Sequence, residues 1–186
     1  MNIPNNISIK ELLTEYSPKM AQELLADSGK AAELDGTQFK LVVDVDGDKY
    51  SYQVTNGKEF DVQEADLDSA QARVMISKED LEKMIATSNL DMLLGIQNDL
   101  SRAKYEALSR VKGCMVAELE NDDGSKFTIR AVLNETEAPT ATFKMKTTDS
   151  AALVRKETSP VTLFMGGQMK IEGDMAFAMS TQPLFT

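Results

Sequence analysis

The 186-residue chain contains no histidine. That removes the commonest general base near neutral pH, the commonest neutral metal ligand and every Ser-His arrangement. A single cysteine, Cys114, has no second thiol for an internal disulfide and no companions for a zinc site or a thiol-imidazole pair. It sits in an apolar, strand-like run, where an unreactive buried thiol in a reducing compartment is expected. Basic residues are outnumbered: 20 Lys and Arg stand against 30 Asp and Glu, for a formal net charge of -10 and a pI near 4.6. Affinity for a phosphate backbone comes from lysine and arginine, so nucleic acid is excluded as a partner, and anionic membranes repel the average surface. No apolar run approaches the ~18 to 20 residues that span a bilayer, and the opening MNIPNNISIKELL lacks a charged segment followed by an apolar one. The expectation is a cytoplasmic protein without stable membrane insertion.

Motifs of catalysis are also missing. There is no GxGxxG, GxxxxGK[ST] or GxSxG string, and Met165-Gly166-Gly167-Gln168 is too short to cradle a phosphate. The run Asp44-x-Asp46-Gly47-Asp48 resembles the start of a calcium loop, but its glycine comes two positions early and Thr55 stands where a glutamate is needed. It reads as a hairpin turn, and Asn121-Asp122-Asp123-Gly124 fails in the same way. Carboxylate pairs are expected from the acidic content alone. No metal, no cofactor and no enzymatic activity are expected.

What the chain does have is 42% hydrophobic content, ordinary for a folded domain. Ser8 with Glu11 forms a capping box for a helix carrying Leu12, Leu13 and Tyr16. Ser17 and Pro18 open a second short helix with Met20, Leu24 and Leu25, ending near Gly29. From Thr37 the period becomes two: Phe39, Leu41, Val43 and Val45 alternate up to the Asp46-Gly47 turn, then Tyr50, Tyr52 and Val54 alternate after it. Asn56-Gly57 turns the chain into Phe60 and Val62. Val74 and Ile76 mark a further strand, and Ser77 caps a helix with Leu81, Met84 and Ile85. Apolar positions at Leu93, Ile96, Leu100, Ala103, Ala107 and Val111 predict a helix over 90–111, ended by Gly113. A second hairpin follows, with Met115, Ala117 and Leu119 before the turn and Phe127, Ile129 and Ala131 after it. Phe143 and Met145 end another strand, and Asp149 opens a helix with Leu153 and Val154. Gly47-x-Lys49-Tyr50-x-Tyr52 recurs as Gly124-x-Lys126-Phe127-x-Ile129, and Val74-x-Ile76 before a capped helix recurs as Phe143-x-Met145. Two units are expected, although any two antiparallel hairpins share such a pattern.

The final stretch, residues 159 to 185, holds an apolar turn (Val161, Leu163, Phe164, Met165), a glycine pair and a strand-like run from Gln168 to Glu172. Gly173 follows, and Asp174 stands as N-cap before Met175, Phe177, Ala178 and Met179. So short a helix, turn, strand, turn, helix cannot bury its Met, Phe and Leu side chains on itself and must close over something. Of eleven methionines, Met84, Met92, Met145, Met165, Met169, Met175 and Met179 fall on apolar positions. Flexible thioethers suit either a cavity for varied apolar guests or gap-filling in a solid core.

Phe164, Gly166, Gly167, Met169, Lys170, Ile171, Gly173, Asp174, Ala176 and Ala178 together resemble the closing motif of the sterol carrier protein type two domain family. The order of strands and helices over 8–158 is similar to that family's as well. The resemblance implies an α+β fold, a mostly antiparallel β-sheet covered by helices, with a sterol-carrier-like unit over 1–88 that lacks the closing motif and one over 89–186 that has it. It implies a non-enzymatic carrier for a sterol, fatty acid, fatty acyl-CoA or other apolar small molecule, held in a tunnel between the sheet and the closing helices. The residues expected to line that tunnel are Leu153, Phe164, Met165, Met169, Met175, Phe177, Met179 and Leu184. The alternative is a dimerisation or scaffolding module, a homodimer included, whose apolar tail docks on a partner or an accessory enzyme.

Overall fold

The computed structural model describes residues 7–27, 32–87, 90 and 101–185. Its first element, α1, is a single helical run made of Ile9–Glu11, a π-helical turn Leu12–Tyr16, and Ser17–Asp27. Ser8 Oγ accepts from Glu11 N and the Glu11 carboxylate accepts from Ser8 N, both at 3.1 Å, so the capping box is present. The break expected at Ser17 is absent. Ser17 N donates to Leu12 O, five residues back, and this widened turn lets the helix continue through Pro18, which has no N–H for the regular ladder. Gly29, expected to end the second helix, lies outside the described residues.

Strands β1 (Gln38–Val45) and β2 (Asp48–Thr55) form the expected hairpin, turned by Asp46 and Gly47, both at positive φ. The acidic turn uses its carboxylates locally: Asp44 Oδ1 accepts from Gly47 N at 2.7 Å and Asp46 Oδ2 from Lys78 N at 2.8 Å. β3 (Glu59–Gln63) adds antiparallel to β2, whereas β4 (Ala72–Ile76) lies parallel to β1. α2 (Lys78–Ala86) follows, capped by Ser77, with Leu81, Met84 and Ile85 buried as their spacing predicts. After α3 (Arg102–Arg110) come β5 (Gly113–Glu120), its hairpin partner β6 (Lys126–Leu133), and β7 (Thr140–Lys146), which is parallel to β5. Each hairpin is thus followed, in the first case after β3, by a strand parallel to its own first strand and then by a helix. The tail supplies α4 (Thr147–Val154), α5 (Pro160–Met165), β8 (Lys170–Gly173), α6 (Met175–Ser180) and a 3-10 turn Gln182–Leu184.

Antiparallel pairing of β4 with β6 joins everything into one eight-stranded sheet, in the order β3-β2-β1-β4-β6-β5-β7-β8. Among the described residues only the β1–β4 and β5–β7 pairs are parallel, so the fold is the expected α+β with a mostly antiparallel sheet. Buried residues of the helices, such as Leu12, Leu81, Leu108, Leu153, Leu163 and Phe177, join one core with Leu41, Val43, Val74, Phe127 and Phe143 of the sheet. The helices therefore cover that face. The opposite face carries ion pairs, among them Lys49 and Arg73 with Asp66, Arg130 with Glu137, and Lys144 with Glu118 and Glu172.

Several boundaries differ from the sequence reading. α4 begins at Thr147 instead of Asp149, and β8 at Lys170 instead of Gln168. Of the helix expected over 90–111, Arg102–Arg110 is seen; Leu93, Ile96 and Leu100 lie outside the described residues. Gly113 is the first residue of β5 and does not stop the helix. The end of α3 is instead held by Asn134, whose Nδ2 donates to Leu108 O at 2.6 Å and Val111 O at 2.7 Å. A side chain reaching back from the next hairpin leaves no local signal in the helix sequence.

Candidate functional site

Between the sheet and helices α3 to α6 lies an apolar chamber of about 330 Å³. Its floor is made by alternate residues of six adjacent strands and its roof by Leu108, Leu153, Phe164, Met165, Met179 and Leu184. Hollowness here has a cause in residue size. Ala72, Ala117 and Ala131, on β4, β5 and β6, face the chamber with side chains too short to reach the helices above. Met115, Ala117 and Ala131 are accordingly only half-buried, although they occupy the middle of a sheet covered on that face.

The closing segment is held over the chamber by its own local chemistry. Ser159 Oγ accepts from Thr162 N and Pro160 occupies the first turn of α5. Gly173, at φ +90, allows β8 to turn against β7, where an added Cβ would stand 2.5 Å from Thr140 O; Asp174 N donates to that same carbonyl at 2.9 Å. Asp174 Oδ1 then accepts from Phe177 N at 2.7 Å and starts α6.

Of the eight residues expected at the tunnel, Leu153, Phe164, Met165, Met169, Met179 and Leu184 line this chamber. Met175 and Phe177 do not. Met175, the first residue of α6, is directed to solvent, and Phe177 is buried with its ring against Gly113. Helical spacing turns Phe177 away from Met179, whereas Met175 shares the side of Ala178 and Met179 but stands one turn nearer the start of the short helix, beyond the chamber lining. Val161, Phe164, Met165 and Met179 combine chamber lining with exposure, Met165 being 79% exposed, and so mark the mouth.

The sequence reading missed two groups. Leu41, Val43, Ala72 and Val74 of the first hairpin region form part of the same floor; their alternation shows which face they occupy but not whether core or hollow lies above. Among the described residues lining the chamber, Lys104 and Lys156 are the charged ones, in a chain where acids outnumber bases. With Thr181 and Gln182 they are the polar groups a guest could meet. Among the described residues no cluster of His, Cys, Asp or Glu is arranged to hold a metal ion, and no helix is long and apolar enough to cross a membrane. Cys114 is fully buried on the other side of β5, its Sγ accepting from Arg130 Nε at 3.0 Å.

Residues 95–186 match the model of the SCP-2 sterol transfer family. No curated protein matches the chain. Among solved structures, sterol carrier protein 2 from Yarrowia lipolytica in its apo form is 17% identical, with 42% of this chain and 76% of that one covered and a TM-score of 0.36. The sterol carrier protein domain 2 of Helicoverpa armigera is 21% identical, over 54% of this chain and 84% of that one, with a TM-score of 0.38. A UbiJ-SCP2 ubiquinone synthesis protein is 13% identical, over 96% of this chain and 93% of that one, with a TM-score of 0.28. The stretch that the SCP-2 sterol transfer family model matches, residues 95–186, contributes α3, β5 to β8 and the closing helices.

Proposed function

We propose that the protein is a non-enzymatic lipid carrier that holds its guest in the chamber beneath α3 to α6. The observation that carries this reading is the apolar space of about 330 Å³, within the ~300 to 1,000 Å³ range usual for small-molecule sites, lined by alanines, branched aliphatics and methionines. Each methylene moved from water onto such walls contributes about 0.8 kcal/mol, so a hydrocarbon binds without a charged anchor. The exposed methionines at the mouth suit a surface that meets guests of varied shape. Extraction of the purified protein with organic solvent, followed by mass spectrometry, and displacement of a fluorescent fatty acid test this reading. An empty extract together with no displacement contradicts it.

A second reading rests on the exposure of Val161, Phe164, Met165, Met175 and Met179. Five apolar side chains on two neighbouring short helices make a patch that a second copy or an accessory protein would cover. Native mass spectrometry over a range of concentrations separates a monomeric carrier from a docking module.

A further inference from the structure

The floor of the chamber extends beyond the part of the chain that the family model matches. Residues 95–186 bring β5, β6, β7 and β8, but Leu41 and Val43 on β1 and Ala72 and Val74 on β4 line the same space. These four are register partners, Leu41 with Ala72 and Val43 with Val74. The row continues across the sheet: Val74 pairs with Ala131, Ala131 with Met115, and, one pleat along, Ala117 with Phe143 and Phe143 with Ile171. The trough therefore runs across the strands. Six strands at ~4.8 Å spacing give it a length of about 24 Å, more than the ~15 Å that one leaflet's hydrocarbon occupies in a bilayer.

Its two ends are unlike. Leu41, Val43, Ala72 and Val74 are all buried, whereas Val161, Phe164, Met165 and Met179, on the helices of the closing segment, are exposed. α6 packs on β7 and β8, which puts that open rim at the far side of the sheet from β1. Over the β1 side, Arg102 at the start of α3 donates to the carbonyls of Glu33 at 3.3 Å and Asp35 at 2.9 Å, just before β1 begins. The first half of the chain thus closes one end of a trough whose other end opens among the closing helices.

We propose that the guest is a single extended hydrocarbon chain lying across the strands with its tip over β1 and β4, and that Val43 and Val74 set the longest chain the chamber accepts. This rests on the lipid-carrier reading and adds the shape of the guest and the residues that measure it. The amino-terminal half is then the measuring end of one shared chamber.

The test is displacement of cis-parinaric acid by straight-chain saturated acids from dodecanoic to tetracosanoic. Affinity rises roughly fourfold with each methylene that finds a place inside, then levels off once the trough is full. Val43→Phe and Val74→Phe move that break to shorter acids by at least one member of the even-numbered series. Val43→Ala and Val74→Ala move it to longer ones. Should a phenylalanine variant fail to fold, the alanine variants decide. A break that stays put in folded alanine variants overturns the inference and leaves the carrier reading standing, as does binding of a fluorescent sterol with no displacement by any linear acid. Failure of the wild-type protein to bind acid and sterol alike overturns both.

Discussion

The ring of Phe177 occupies the space where Gly113 has no side chain. A Cβ on Gly113 would stand 2.5 Å from Phe177 Cε2 and 2.6 Å from Pro139 O, at a backbone φ of +142 that L-residues rarely adopt. This contact seats α6 on the first residue of β5 and thereby fixes one wall of the chamber. It also explains why Phe177, an aromatic of the closing segment, packs on the sheet and does not line the chamber.

Gly113→Ala is predicted to destabilise the fold by about 2 to 4 kcal/mol, combining overpacking with backbone strain. Equilibrium urea unfolding measures it. Phe177→Ala alone relieves only part of the clash in the double variant, because the Pro139 carbonyl remains.

Filling the hollow has the opposite signature. Ala117→Leu and Ala131→Leu are predicted to leave thermal stability unchanged or raise it by up to about 2 kcal/mol, while reducing fatty-acid affinity at least tenfold. In a solid core the same additions would cost about 1 to 3 kcal/mol. Thermal melts beside probe displacement distinguish the two.

Tyr52 Oη donates to Leu13 O at 2.6 Å, tying β2 to α1, and burial pushes its phenol far above the ordinary value. The folded state therefore favours the protonated phenol. Its contribution is fully present below the unfolded pKa near 10 and is lost as pH rises from there toward the folded value. Tyr52→Phe is predicted to cost about 1 kcal/mol at neutral pH and to flatten the loss of stability above pH ~10, measured by urea unfolding across that range.

Asn134→Ala removes both donors that hold the end of α3. A loss of about 1 to 2 kcal/mol is expected, with weaker guest binding because α3 roofs the chamber at Leu108. Hydrogen exchange localised to α3 checks that the loosening is there.

Much of this was legible in the sequence for simple reasons. Period-two alternation identified both hairpins, and Ser8, Ser77 and Asp174 announced their helices by capping chemistry that is local. The closing motif was recognisable because glycine at 173 and aspartate at 174 each answer to a neighbouring backbone group. Less legible were features decided by distant residues. Pro18 was read as a helix start because the π turn that absorbs it depends on Leu12 and Ser17 remaining in one run. The chamber's reach onto β1 and β4 depends on strand order, and nothing around Val43 announces that its neighbours in space are Val74 and then Ala131.

The most direct measurement is a calorimetric titration of the purified, delipidated protein with oleic acid at several temperatures. Saturable binding of one acid per chain, with a negative heat-capacity change from burial of apolar surface, is the predicted result. No saturable heat at any temperature, from a protein shown to be folded and free of lipid, would contradict it.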